Sequence, residues 1–239
     1  MALPKPVIPT YELDLPSTGK TIKIRPFLVK EEKVLLLAAQ SENEKEIINA
    51  ITDVVKSCIL SRIKVQDLTF FDLEYVFLQL RARSTEEFLS LDVTCKDDGV
   101  TKVVHRVNLL EVEVDGRYEK GNNKIMLGED WGVIMKYPGM NDFVRFDIMR
   151  KELDDDEINE YIASNIDQMF TAEDITECVD EKKEDIVDWV ENLTSKQLDK
   201  IAVFYENQPK LSHTFTVKNP ETGVDSEYTM EGLLNFIGG

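Results

Sequence analysis

The chain has 239 residues, of which 42% are hydrophobic and 31% charged, and its formal net charge is −18 at pH 7. These proportions are typical of a folded globular protein with one or two domains, and no run approaches the roughly 20 apolar residues of a membrane span. The charge argues against nucleic acid and anionic membranes as partners, because phosphate binding requires clustered Lys and Arg. It leaves room for a basic protein partner, but plain solvation of helix surfaces rich in Glu and Asp is the favoured explanation.

The first residues lack the pattern of an export signal. Residues 1–6 read Met-Ala-Leu-Pro-Lys-Pro, without the apolar segment of a signal peptide, so a cytoplasmic location is expected. In that compartment three buried, reduced thiols are expected rather than a disulfide. The cysteines are Cys58, Cys95 and Cys178.

The N-terminal third predicts a β-hairpin followed by helices. The proline-rich residues 3–9 are expected to form an extended arm, and the alternation of apolar and polar residues over 11–25 predicts a hairpin. Apolar residues at helical spacing predict helices over 29–40, over 42–63 and from 69 to about 83. Each apolar stripe is expected to pack in the core, and the stripe of 42–63 is a rival partner surface if it is exposed.

The centre of the chain returns to a strand pattern before further helices. Phe88 to Val107 alternates around Asp98-Gly99, a strong hairpin signal, and short strands are expected up to about Met135. A helix is expected to begin at Asp154 and to include Met169 on its apolar face. Thr171 to Val179 is expected to form another helical turn, and 185–193 a short helix.

The C-terminal stretch combines a helix, a hairpin and an apolar end. Thr194 and Gln197 form a capping box, and Pro209 limits the helix that follows. Residues 213–230 predict a hairpin around the turn 219–223, which has the shape of a zinc ribbon without its metal ligands. Apolar residues after the hairpin are expected to be buried as a plug: Leu233, Leu234 and Phe236. This hairpin and the one at 88–107 are similar enough that an internal repeat stays open.

The predicted fold class is α+β. It comprises an N-terminal β-hairpin, a helical bundle, a β-rich central insert, and C-terminal helices followed by a metal-free ribbon-like hairpin. The expected domain segments are 1–83, 84–150 and 151–239.

Several stretches resemble a known family. The pattern Leu-Thr-x-x-Gln-Leu-x-Lys-Ile-x-x-Phe-Tyr begins at Leu193, Leu-x-His-x-Phe begins at Leu211, and Glu-Gly-Leu-x-Asn-Phe begins at Glu231. Together with the stretch from Pro9 to Leu36, these patterns resemble the baseplate hub proteins of T4-type contractile-tailed bacteriophages, and look most like hub assembly proteins.

The resemblance implies a non-enzymatic, chaperone-like factor that binds other baseplate hub proteins or the tape-measure protein during tail assembly. A permanent structural subunit of the hub is the alternative. The implied location is the host bacterial cytoplasm during assembly, or the baseplate of the virion tail. The resemblance implies neither a cofactor nor a nucleic-acid or membrane partner.

The residues themselves offer little chemistry. The sequence contains no nucleophile elbow, zinc-protease motif, phosphate-binding loop or dinucleotide fingerprint. Four scattered residues, Cys95, His105, Cys178 and His213, would have to converge to form a metal site. A small metal-dependent hydrolase is therefore the less favoured alternative, and no catalytic, cofactor or metal residue is assigned.

Partner binding is predicted at the arm and at hairpin edges, because strand addition needs only main-chain groups and pockets for alternate side chains. The candidate partner-binding residues are Val7, Ile8, Tyr11, Phe215 and Val217.

Overall fold

The protein is described by a computed structural model that covers residues 6–41, 43–115, 123–146 and 153–236. The chain divides into two compact units. Unit 1 comprises Met1–Val65, Phe71–Asp115 and Lys210–Gly239, and unit 2 comprises Gln66–Phe70 and Gly116–Pro209. Both units combine separate stretches of the chain, whereas the sequence predicted the consecutive segments 1–83, 84–150 and 151–239. The division of the chain into those three segments stays a prediction.

Helices and small antiparallel sheets alternate along the described residues, which confirms the predicted α+β class. The helices are α1 (Val29–Gln40), α2 (Glu44–Cys58), α3 (Phe70–Ser84), α4 (Met140–Phe146), α5 (Asp155–Ser164), α6 (Lys183–Glu191) and α7 (Ser195–Glu206). The strands are β1 (Tyr11–Asp14), β2 (Thr21–Ile24), β3 (Phe88–Thr94), β4 (Lys102–Asn108), β5 (Glu113–Asp115), β6 (Lys124–Met126), β7 (Gly132–Met135), β8 (Ile166–Phe170), β9 (Ile175–Glu177), β10 (Lys210–Lys218) and β11 (Asp225–Glu231).

The described residues of unit 1 form two separate hairpins and one three-stranded sheet. Strand β1 pairs with β2 and β3 with β4, while β10 lies between β11 and β5. The N-terminal hairpin and the hairpins around Gly99 and Gly223 are therefore confirmed. Each needs a glycine with positive φ in its turn, a conformation that costs little without a Cβ.

Helix α3 is the most enclosed element of unit 1. Ten of its residues are buried, and they lie on every side of the helix. A helix that is apolar all round must be surrounded by other elements. Polar side chains within this set must therefore find hydrogen-bond partners in the protein.

The polar side chains of α3 hold the N-terminal part of the chain. The Asp72 carboxylate accepts hydrogen bonds from the Ser17 amide at 2.9 Å and the Ser17 hydroxyl at 2.5 Å. At the other end of the helix, the Ser84 hydroxyl accepts from the Phe27 amide at 2.9 Å. The β1–β2 turn and the segment before α1 are thus both fixed to one helix.

The same helix holds the C-terminal turn. Glu74 Oε1 accepts a hydrogen bond from the Leu233 amide at 2.8 Å, and the Arg81 guanidinium donates to the Phe236 carbonyl. The side chains of Leu233 and Phe236 are fully buried, which confirms the predicted plug for these two residues. The side chain of Leu234 lies outside the described part of the structure.

An ion pair joins the start of α1 to the end of α2. The Arg25 guanidinium donates to both Glu31 carboxylate oxygens, at 2.9 and 2.7 Å, and to the Ser57 carbonyl at 2.8 Å. Glu31 also accepts from the Leu28 amide at 2.7 Å, at the first turn of α1. The hydrogen bonds from Arg25 hold the pKa of Glu31 below its usual value. Charge-assisted, bidentate contacts of this kind also fix geometry.

Unit 2 is built on one antiparallel sheet in the order β6-β7-β8-β9, with α4–α7 beside it. Its core combines sheet residues with the inner faces of α5, α6 and α7. A series of ring contacts continues through it, with Tyr137 on Phe204 at 5.2 Å and Tyr161 on Tyr205 at 5.3 Å. The Thr194–Gln197 capping box is confirmed at the start of α7.

The helix predicted over 42–63 ends earlier, at Cys58. Beyond that residue the chain is extended and pairs with β2. The Leu60 amide donates to the Lys23 carbonyl at 2.8 Å, and Ile59 forms a bridge with Ile24. The β-branched Ile59 and Ile63 therefore continued an apolar periodicity after the helix had stopped.

Two further helix predictions are wrong in unit 2. Met169 lies in β8 rather than on α5, and the segment from Thr171 to Val179 contains β9 followed by a short 3₁₀ turn. The Thr171 hydroxyl accepts from the amides of Glu173 and Asp174, at 3.3 and 3.1 Å. These bonds form a tight turn, which mimics a helix start in sequence but here joins two strands.

Replacing Phe236 with alanine should lower the free energy of unfolding by about 3–5 kcal/mol, the usual cost of truncating a buried Phe. Chemical denaturation measures this loss. Val224→Ala, at an exposed position of unit 1, should change stability by less than about 0.5 kcal/mol. Equal midpoints for the two variants would show that the C-terminal turn does not pack on α3.

Glu74→Gln should change how stability depends on pH. Burial raises the pKa of Glu74 to about 7 from its ordinary value of 4.5. Between these pH values the folded protein retains a proton that the unfolded chain has released, so this residue's contribution to stability falls as pH rises and is constant above about pH 7. Glutamine cannot ionise, yet its side-chain oxygen can still accept from Leu233.

The stability of Glu74→Gln relative to the wild type should therefore increase from about pH 4.5 to 7, by an amount on the order of 3 kcal/mol, and then level off. Denaturation at a series of pH values gives this difference. Thr216→Ala, which changes no titratable group and lies at an exposed position of unit 1, serves as the control and should show no such trend. A flat difference for Glu74→Gln would mean that its carboxyl ionises as easily in the folded state as in the unfolded one.

Candidate partner-binding surface

Helix α1 presents apolar side chains to solvent. Val29, Val34, Leu36 and Leu37 are between 45% and 68% exposed. The expectation that this stripe packs in the core is wrong, because the buried residue of α1 is Glu31, held by Arg25. Contiguous exposed apolar residues of this kind mark interaction sites in folded proteins.

A groove of about 360 Å³ lies between α1 and α3. Its apolar lining comes from both helices, and two carboxylates, Glu32 and Glu86, lie among the apolar groups. The lining residues are Phe27, Glu32, Leu35, Leu36, Ala39, Phe77, Arg81, Thr85 and Glu86. Leu36 belongs both to this groove and to the exposed face, so the two form one continuous surface, called here the α1 surface.

Sequence reasoning missed this surface, although a signal was present. Val34 to Ala39 is an uninterrupted apolar run of six residues. Six successive residues point around the whole circumference of a helix, so they cannot all face one core. The run therefore required either complete burial of α1 or an exposed apolar face.

Helix α2, the rival surface considered from sequence, faces the interior. Its stripe is buried, including Ile48, Ile51, Val54, Val55 and Cys58. It is therefore a core helix of unit 1.

The arm residues that were predicted to bind a partner are accessible to different degrees. Val7 is 97% exposed, whereas Ile8 is half-buried. The Tyr11 ring lies under the Arg83 guanidinium, 5.2 Å from its centroid, and remains partly exposed. Partner binding by these residues stays a prediction.

Phe215, one of the two hairpin residues in the same prediction, lies where the hairpins meet. Phe215 stacks on His105 with ring centroids 4.2 Å apart, and Tyr228 stacks on its ring at 5.7 Å. Val217 is buried. Partner binding by Phe215 and Val217 stays a prediction.

The turns of the two hairpins are joined by side-chain hydrogen bonds. The buried Asn219 amide donates to both oxygens of Asp97 and to Asp98, each at 3.0 Å. The Thr222 hydroxyl donates to Asp97 at 2.5 Å. Hydrogen bonds from Thr222 and Asn219 hold the pKa of Asp97 below its usual value. We call this set of residues the turn clasp.

Both turns have the same backbone pattern. The Gly99 amide donates to the Cys95 carbonyl and the Gly223 amide to the Asn219 carbonyl, and each glycine has positive φ. The N-terminal β1–β2 hairpin has the same backbone pattern, because its Gly19 amide donates to the Leu15 carbonyl. Since all three hairpins share this turn, it does not distinguish an internal repeat from a common local solution.

The residues considered for a metal site are divided between the units. Cys95, His105 and His213 lie in unit 1, where His105 stacks on Phe215, and Cys178 is buried in the core of unit 2. Burial raises the pKa of the Cys178 thiol to about 11, and all three cysteines are free and buried. Within the described ranges, no group of three or more His, Cys, Asp or Glu side chains is arranged to hold a metal ion.

Asn219→Ala should destabilise unit 1, because it removes the donor shared by Asp97 and Asp98 at the turn clasp. The expected loss is about 2–4 °C in melting temperature. Thr216→Ala, at an exposed position of the same hairpin, is the control and should leave the melting temperature unchanged.

EDTA is also expected to leave the melting temperature of the wild-type protein unchanged. A fall of several degrees with EDTA would contradict a clasp made of hydrogen bonds alone.

None of the described helices has the length and apolar character required to cross a membrane.

Comparisons with curated proteins and with solved structures returned no match. A comparison with protein-family models matches residues 8–238 to the family described as T4 bacteriophage base plate protein. That match covers nearly the whole chain and agrees with the resemblance seen in the terminal segments. The chain therefore belongs to the T4 bacteriophage base plate protein family, whose members have a structural or assembly role in the phage tail.

Proposed function

We propose that this protein is a non-enzymatic, chaperone-like assembly factor of the baseplate hub, which binds another hub protein or the tape-measure protein through the α1 surface. The single observation that carries the proposal is the exposed apolar face of α1 in a member of a baseplate family. Leaving such side chains in water carries a cost that contact with a partner removes. The proposed activity is binding, without covalent chemistry.

Charge limits the chemistry of the partner. The chain carries a net charge of −18, and the groove beside α1 is lined by Glu32 and Glu86 together with Arg81, whose guanidinium already donates to the Phe236 carbonyl. A partner helix with an apolar stripe flanked by Lys or Arg would bury the leucines and pair with these carboxylates. Screening such a helix until its final position is available is a chaperone-like role.

A permanent subunit of the hub is the second candidate, since the same surface would serve a lasting contact. The two candidates differ in the final location of the protein. A chaperone acts in the host bacterial cytoplasm during assembly and is released, whereas a subunit stays in the virion baseplate.

Replacing exposed leucines of α1 with glutamates should abolish binding of the partner protein. The variant Leu36→Glu/Leu37→Glu places two charges on exposed positions, so the protein should still fold while the apolar contact is lost. We expect wild type co-expressed with the hub and tape-measure proteins to form a complex on size exclusion, and the double variant to elute alone.

Val179→Glu/Leu60→Glu is the matched control, because both positions are exposed and apolar but lie outside α1. It should retain the complex. A complex that persists in the α1 variant would contradict binding through this surface, and wild type that binds none of these partners would contradict the proposed function.

Mass spectrometry of purified virions separates the two candidates. Absence from mature particles is expected for the chaperone that we propose. A fixed copy number per particle would establish the structural subunit instead.

A further inference from the structure

Strand β6 is an edge of the unit 2 sheet. It pairs with β7, and no other strand in the described ranges pairs with its opposite side. The Met135 amide donates to the Asn123 carbonyl and the Leu127 amide to the Trp131 carbonyl. Hydrogen-bonding direction alternates along an antiparallel strand. The main-chain N–H and C=O groups of Lys124 and Met126 therefore point away from β7.

One of these outward-pointing carbonyls already accepts a hydrogen bond from a side chain. Lys200 Nζ, on α7, donates to the Met126 carbonyl at 2.8 Å. A flexible ammonium is a replaceable donor, because it gains equivalent hydrogen bonds in water or with a carboxylate. The contact shows that a donor approaching this edge from the side of α7 meets a correctly oriented carbonyl.

The edge is open to a groove of about 490 Å³ that it forms with α7. The stacked rings of Tyr137 and Phe204 and the half-exposed side chains of Met126 and Val203 contribute its apolar lining. An extended chain between an edge strand and a helix can bond the strand and place every second side chain against such a lining.

The charge of this groove is opposite to that of the chain as a whole. Its charged lining residues are two lysines, Lys124 and Lys200, whereas the chain has a net charge of −18. Lys124 Nζ lies over the Phe170 ring, 4.4 Å from the centroid. These cations favour carboxylates on whatever enters the groove.

We propose that the β6–α7 groove binds an extended segment of another protein in which acidic and apolar residues alternate, and that this segment adds to the sheet beside β6. Its backbone amide replaces Lys200 at the Met126 carbonyl. The released ammonium then pairs with a carboxylate of the segment. This inference rests on the proposed function only in taking the partner to be another baseplate protein.

Short peptides test the site without any baseplate partner. The probes are a fluorescent Val-Asp-Val-Glu-Val-Asp peptide, a Val-Lys-Val-Lys-Val-Lys peptide, and the acidic peptide with alternate backbone amides N-methylated, with the full chain titrated against each. Fluorescence anisotropy should show binding of the first probe only, since the second has the wrong charge and the third cannot form the strand ladder. Equal binding of all probes, or no binding of the acidic peptide, overturns the proposal.

Two matched pairs of variants locate the site on α7. Lys200→Glu should weaken binding of the acidic peptide by about tenfold or more, while Lys196→Glu, which makes the same charge change at an exposed position outside the groove lining, should have a much smaller effect. Likewise, Val203→Glu should weaken binding and Ala202→Glu should not. Equal effects within both pairs would show attraction by overall charge and overturn the assignment to this groove.

The two proposals fail separately. Loss of complex formation in the α1 variant tests the proposed function and leaves the peptide result unchanged. Failure of the peptide to bind removes the strand-addition site and leaves hub binding through the α1 surface intact.

Discussion

Unit 1 depends on the way in which the buried helix α3 uses its few polar side chains. A polar group that is buried without a partner costs more than an ordinary hydrogen bond contributes, so each of these side chains must be satisfied. Asp72 is satisfied by Ser17 and Glu74 by Leu233, which lie near opposite ends of the sequence. Because both partners are backbone amides, the helix fixes the main chain of the N-terminal hairpin and of the C-terminal turn.

Helix α1 is held mainly by its charged residue Glu31, while its apolar residues stay exposed. Helix α2 and the N-terminal hairpin contribute buried apolar residues to unit 1, and Arg25 links α1 to α2 by pairing with Glu31 and donating to the Ser57 carbonyl. A buried carboxylate with a bidentate partner anchors the first turn of α1 without needing apolar residues on its inner side. Under the proposed function, the exposed leucines of α1 are the residues that bind the partner.

The two candidate binding surfaces use different physics. The α1 surface offers apolar area with a carboxylate border, which suits a basic amphipathic helix. The β6–α7 groove offers main-chain hydrogen bonds and two lysines, which suits an acidic extended segment. Surfaces of opposite charge on one chain favour different partners, because like charges brought together at the wrong surface are repelled. If both proposals hold, the protein can bind two different components at the same time.

The sequence by itself determined the features that depend on a few neighbouring residues. The Thr194–Gln197 capping box, the glycine turns of the hairpins and the apolar stripe of α2 were all readable, and so was the α+β class. Only the tertiary structure decided the conformation of segments whose local pattern fits a helix but which pair with a strand elsewhere. Ile59 left a helical pattern because β2 offered it a strand partner, and Thr171 closed a turn because β9 pairs back on β8. The exposure of α1 could not be read from its own residues, since it depends on which of their side chains the rest of unit 1 covers. The same holds for β6, whose open edge and neighbouring lysines come together only when α7, over 70 residues later in the chain, packs beside it.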